Sequence, residues 1–145
     1  MTERKKTVWL DVLPLVFSGV ALAFSIITYT STTKDQKDMQ AYSFWHDYLK
    51  IAVENPDLAL GIYAKKDTAQ EHKYEFFLVN ALNVAERVYE LQADDTAWRA
   101  SIKHIIWHHR CYIHNHPNMI QGYYGHNFEA LIHEAVDTAD FKNCQ

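Results

Sequence analysis

Residues 12–29 read VLPLVFSGVALAFSIITY and carry no charged side chain, and the basic start MTERKK lies upstream of them. A helix over residues 9–29 would rise about 30 Å, which matches the hydrocarbon core of a bilayer. Its two ends would place Trp9 and Tyr29 at the membrane interfaces, which aromatic rings favour. The pattern predicts that residues 1–30 form a transmembrane anchor that contacts the lipid bilayer through residues 9–29.

Two other interpretations of this segment are a cleaved signal peptide and a buried core helix. A signal peptide has the same charged start, but its apolar core is usually about 7–15 residues long and ends in a small-x-small motif. Residues 26–30 read IITYT, which is no such motif. A core helix would show one polar face, and residues 12–29 show none. Both alternatives therefore fit less well than a single-pass anchor.

The basic residues on either side of the anchor give a weak indication of the side of the membrane on which the C-terminal domain lies. Three basic residues precede the segment, and two, Lys34 and Lys37, follow it closely. This bias favours a cytoplasmic N-terminus and an exported C-terminal domain in the cell membrane. The two cysteines, Cys111 and Cys144, fit a disulfide outside the cell or free thiols inside it.

Residues 31–145 are enough for one domain with a hydrophobic core and too few for two. Residues 1–30 carry a net charge of +1 (three basic, two acidic) and the chain carries −4, which leaves −5 for this domain. An acidic domain without a basic stripe is a poor partner for nucleic acid. The chain has only four glycines and three prolines, which is typical of a compact helical domain.

Apolar residues at helical spacing predict an all-α domain, a small bundle of about four helices. The first would begin at Thr33, where a capping box fits, and end before Pro56; alternatively, it continues the anchor as one rod. A short helix would follow, capped by Asn55. The predicted bounds of the other three helices are 71–92, 94 or 95 to 116, and 127–139.

Three stretches resemble a group of small bacterial proteins that have one N-terminal transmembrane helix and a short helical domain. They are the segment Phe17–Tyr29, the stretch AVENPDLA at 52–59 and the stretch LNVAERVY at 82–89. The resemblance implies this architecture and no chemistry, because no activity is known for the group.

Seven of the nine histidines follow residue 100. His104 and His108 are spaced i, i+4, as two imidazoles on one metal ion require, and Glu129 and His133 form a second such pair. If the last helix packs antiparallel to the third, these four residues could hold a divalent transition metal. The alternative is a set of solvated histidines on an acidic surface. No other cofactor is predicted.

His109 falls inside the apolar stripe of the third helix, and Glu86 lies beside Leu82 and Tyr89 on the inward side of its own helix. A buried carboxylate needs a partner. His109, Arg99 and Arg110 are the candidate partners on the third helix. Glu86 and His109 are predicted to form a buried polar pair, either structural or active in proton transfer.

No stretch has the pattern of a catalytic nucleophile or a phosphate-binding loop, so we expect a protein that is not an enzyme. The favoured function is a membrane-anchored helical domain that acts through protein–protein contacts. Gly19 and Ala23 form a small-xxx-small motif that indicates a homo-oligomer, and Trp107, off the core face, indicates a surface for a protein partner. The alternative is a metal-binding enzyme or sensor that uses the C-terminal histidines.

Overall fold

The computed structural model describes residues 3–62 and 68–137, with side chains from residue 17 onward. All regular elements in these ranges are helical, which confirms the predicted fold class. The six α-helices are α1 (Glu3–Glu54), α2 (Pro56–Ala59), α3 (Thr68–Leu91), α4 (Thr96–His108), α5 (Arg110–Asn115) and α6 (His126–Asp137), and a 3₁₀ turn covers Pro117–Met119.

Helix α1 has no break at the predicted start of the first domain helix. The hydroxyl of Thr33 donates a hydrogen bond to the carbonyl of Tyr29 at 2.8 Å, one turn back inside the helix. The predicted capping box is therefore wrong, and the alternative prediction of one continuous helix is confirmed. The helix ends at Glu54, as predicted, because Pro56 has no N–H to continue the hydrogen-bond ladder.

The chain divides into two compact units, residues 1–37 and residues 38–145; the predicted boundary fell after residue 30. In the part of the chain that the structure describes, none of the helices has the length and apolar character needed to cross a membrane. Residues 9–16 of the predicted span belong to the segment whose side chains lie outside this description.

The core of the second unit lies between α3, α4 and α6. Helix α4 contacts both α3 and α6, and α5 also contacts α6. Their buried side chains recur at helical spacing, as expected for helices that pack into one core. In α3 and α4 they are Tyr74, Phe77, Leu78, Ala81, Leu82, Ala85, Val88, Ile102, Ile105 and Ile106, and in α6 they are Phe128, Leu131, Ile132, Ala135 and Val136.

The last turns of α1 contribute Ala41 and Tyr48 to this core. Trp45 packs edge-on against Trp98 of α4, with ring centroids 5.3 Å apart. Phe44 contributes less to the core, since 38% of its surface is exposed. Its position, one residue before Trp45, rotates it away from α4.

The predicted third helix is two helices, because the α conformation stops at His109. The backbone there has φ −98° and ψ 6°, and its N–H bonds to the carbonyl of Ile106, three residues back. The backbone of Gly61 approaches the carbonyl of His108 so closely that a Cβ on Gly61 would lie 2.0 Å from that oxygen. The interruption thus lies where the loop after α2 meets α4.

Asn55 and Asp95 directly precede α2 and α4, and only one of them caps its helix. Asp95 caps α4, since its carboxylate accepts hydrogen bonds from the N–H groups of Ala97 and Trp98 at 2.8 and 3.0 Å. Asn55 does not cap α2. Its side-chain amide instead donates to the carbonyl of Ile51 at 3.0 Å, which satisfies an acceptor at the end of α1.

Candidate functional site

The structure brings His104 and His108 together on α4. Their Nε2 atoms lie 3.1 Å apart and their ring centroids 4.5 Å apart. His104 is exposed and His108 is half-buried. The i, i+4 spacing on a regular helix produces this approach, because residues four apart lie one above the other on the same face.

Burial lowers the pKa of the His108 imidazole, and the neighbouring His104 and Arg110 lower it further, while the backbone of Leu60 raises it. The net effect favours the neutral ring, in which one nitrogen carries a proton and the other can accept a hydrogen bond or bind a cation.

A cavity of about 490 Å³ adjoins the two histidines, between the last turns of α1 and helix α4. One wall is aromatic and apolar and comes from α1. The other comes from α4 and carries both imidazoles. The lining residues are Trp45, Tyr48, Leu49, Ala52, Ala100, Ser101, His104, Ile105 and His108.

Glu129 and His133, predicted to complete a four-ligand metal site, do not join this pair. Glu129 accepts a hydrogen bond from the N–H of Gly122 at 2.7 Å, and His133 is exposed on α6. Helix α4 faces α6 through a different side chain, Lys103, whose Nζ lies 2.6 Å from Glu134. Within residues 3–62 and 68–137, no three His, Cys, Asp or Glu side chains are grouped to hold a metal ion.

The predicted pairing of Glu86 with His109 is also not formed. Glu86 is only half-buried, and its Oε1 accepts a hydrogen bond from the N–H of Gly125 at 2.6 Å. His109 is 1% exposed and shares a 2.7 Å hydrogen bond between its Nδ1 and the hydroxyl of Tyr74. Each group thus has a partner that spacing along the helix did not indicate.

His109 is the one buried polar residue of the described core. Burial lowers its pKa from 6.5 to about 4, with a smaller effect from His108. Its Nε2 is buried and has no hydrogen-bond partner among the described groups. A neutral imidazole in such a place anchors α4 to α3 and does not exchange protons near pH 7.

A second cavity, of about 740 Å³, lies between α3 and the segment that follows α5. Tyr112 and His116 stack on one another there, with ring centroids 4.1 Å apart. Burial, together with the nearby carboxylate of Glu86, raises the pKa of Tyr124 to about 12. The sequence signal for this cavity is the run of aromatic and amide side chains in YIHNHPNMIQGYY at 112–124. Its other lining residues include Glu75, Val79, Asn83, Asn115, Asn118, Met119 and Tyr123.

Two residues near the α4–α5 junction bear on partners and compartment. Trp107 is 44% exposed, as expected, and the guanidinium of Arg110 lies 3.8 Å from the centre of its ring. Cys111 is disulfide-bonded. The only other cysteine in the sequence, Cys144, lies outside the described residues.

Comparison with known proteins identifies no matching family, no similar characterised protein and no similar solved structure. The resemblance to small membrane-anchored bacterial proteins therefore stays a prediction.

Proposed function

We propose that this protein is a single-pass membrane protein whose N-terminal helix anchors an exported helical domain and associates with a second copy of itself. The observation that carries the proposal is the exposure of the apolar side chains in residues 17–29. They are Phe17, Val20, Leu22, Phe24, Ile26, Ile27 and Tyr29, and between 51% and 73% of each is uncovered.

Apolar side chains in such number are not normally left in water. Soluble monomers rarely expose a contiguous apolar patch larger than a few hundred Å². These residues point in all directions around the helix, so no single partner surface could cover them. A bilayer covers every face of a helix at once, and the uncharged stretch from residue 12 to residue 29 supplies the length.

Two hydroxyl side chains, one within this stretch and one directly after it, suit a lipid environment. The hydroxyl of Ser25 donates to the carbonyl of Ala21 at 2.8 Å, and that of Thr30 donates to the carbonyl of Ile27 at 2.9 Å. An unsatisfied polar group costs several kcal/mol in hydrocarbon. Hydroxyls that bond to their own helix avoid that cost.

Two independent features support export of the C-terminal domain. The basic residues are more frequent before the anchor than after it, which favours a cytoplasmic N-terminus. The disulfide at Cys111 requires an oxidising compartment. A helix that enters from the cytoplasm places residues 38–145 in such a compartment.

The motif Gly19-x-x-x-Ala23 supports self-association. A Cβ built on Gly19 would meet no atom within 4 Å, so the helix backbone is open there. Small residues four apart let two membrane helices approach closely. Crosslinking in native membranes should capture a dimer, and Gly19→Leu should abolish it while the neighbouring Val20→Leu should not.

Membrane insertion is tested with a charged residue in the anchor. Leu22→Arg places a cation near the centre of the span, which costs about 2.5–3.5 kcal/mol on insertion scales. We expect the wild type to stay in the membrane pellet after alkaline extraction and Leu22→Arg to be depleted from it. Val53→Arg, at an exposed position of the same helix, is the matched control. Release of the wild type would refute the anchor.

A further inference from the structure

We propose that His104 and His108 form an open binding site for a divalent transition-metal cation of the Zn²⁺ class. This inference does not rest on the membrane anchor, because every residue that it uses lies in the second unit. It replaces the four-ligand site expected from the sequence with a two-histidine site beside a cavity.

The distance between the two donor atoms fits one metal ion. Zinc–nitrogen bonds of about 2.0–2.1 Å in a tetrahedral site separate two nitrogens by about 3.4 Å. The Nε2 atoms of His104 and His108 are 3.1 Å apart. Small side-chain rotations that move the two nitrogens a few tenths of an ångström further apart convert this N–H···N contact into a pair of metal ligands.

The backbone of one ligand is held by the loop after α2. Gly61 approaches the carbonyl of His108 so closely that a Cβ there would lie 2.0 Å from that oxygen. This packing restricts the position from which the His108 imidazole projects.

The surroundings leave room for further ligands. Both histidines line the cavity of about 490 Å³, and no third protein ligand stands near them in the described part of the chain. Sites with few protein ligands keep positions for water or for an external ligand, as catalytic and sensing sites do. Trp45 and Tyr48 form the facing wall, which suits an external ligand with an apolar or aromatic body.

Both imidazoles must be neutral to bind a cation. Protons compete with the cation for the same two nitrogens, so binding should weaken in acid.

The test is a Zn²⁺ titration of the full chain in mild detergent, made without a His-tag. We expect one ion per chain in the wild type and an affinity about tenfold weaker or worse in His104→Ala and in His108→Ala, because the loss of even an orienting partner costs that much. His133→Ala, at an exposed histidine of α6, should bind as the wild type does. Equal affinity in all four proteins would overturn the site.

A second measurement identifies the ligands directly. With Cu²⁺ at one equivalent, electron paramagnetic resonance should report two imidazole nitrogens in the wild type and one in His104→Ala. Circular dichroism confirms that the variant is folded, as expected for an exposed side chain. The same nitrogen count in both proteins would refute the pair as the ligands.

Discussion

The phenol of Tyr74 and the imidazole of His109 share a 2.7 Å hydrogen bond inside the core, across 35 residues of sequence. Tyr74 is 1% exposed and His109 equally so. The bond joins α3 to the point where α4 gives way to α5. It fixes the end of α4, and therefore the position of His108 one residue earlier.

Stability should fall in mild acid because of His109. In the unfolded chain its imidazole titrates near 6.5, while in the folded chain burial lowers the pKa to about 4. Between these values the unfolded state binds more protons. The free energy of unfolding is therefore at its full value above about pH 6.5 and decreases toward pH 4, by about 3 kcal/mol from this group. Urea titrations in detergent at several pH values measure it.

The variant His109→Gln gives the control for that pH dependence. It removes the titrating group and keeps a side chain that can bond to Tyr74. The slope between pH 4 and 6.5 should fall by the contribution of about one proton. An unchanged slope would show that other groups cause the loss in acid.

Tyr74→Phe should destabilise the domain by about 1–3 kcal/mol. The change leaves Nδ1 of His109 buried without a partner, as its Nε2 already is, and an unsatisfied buried group costs that much. Tyr123→Phe removes a hydroxyl from a side chain that is 76% exposed, so its effect should stay within about 0.5 kcal/mol. Equal effects of the two changes on the thermal midpoint would contradict this role of Tyr74.

Two glycines offer a matched test of the loop that meets α4. Gly61 and Gly122 both have positive φ, at 69° and 80°, so alanine is strained at either by about 1–2 kcal/mol. Of the two, only Gly61 has a neighbouring group, the carbonyl of His108, with which an added Cβ would collide. Gly61→Ala should therefore be more destabilising than Gly122→Ala, and it alone should weaken Zn²⁺ binding, because the backbone of His108 would have to shift. Similar losses of stability would contradict the close approach.

Cys111 should make the stability of the domain depend on redox conditions. A disulfide typically contributes about 2–4 kcal/mol, so a reductant should lower the thermal midpoint of the wild type. Cys111→Ser should have a lower thermal midpoint than the oxidised wild type, and the reductant should not change that midpoint. If the wild type gives a covalent dimer on a non-reducing gel, then the bond joins two chains instead of closing a loop within one.

The sequence was sufficient for the helices and for the His104–His108 contact, because both follow from a period of 3.6 residues within one helix. It was not sufficient for contacts between helices. Glu129 and Glu86 were each assigned a distant partner, yet both accept from backbone N–H groups of the 120–125 turn, at Gly122 and Gly125. Spacing gives the face of a residue and does not give the rotation of the neighbouring helix.

The break at His109 escaped prediction for a related reason. Apolar spacing runs through residues 102–113 without interruption, so it predicts one helix. The carbonyl of His108 is approached instead by Gly61, a residue far away in sequence. The role of Tyr74 has the same origin, since a tyrosine in an apolar stripe gives no sign of the histidine that it will meet.

We propose that the N-terminal helix crosses a membrane and presents residues 38–145 on the exported side. The decisive experiment adds protease to intact spheroplasts that express the chain with a C-terminal epitope tag. We expect the tag to be removed while a cytoplasmic marker survives, and the N-terminal fragment to remain in the membrane pellet. A tag that is protected until the spheroplasts are lysed, or a chain recovered in the supernatant, would contradict it.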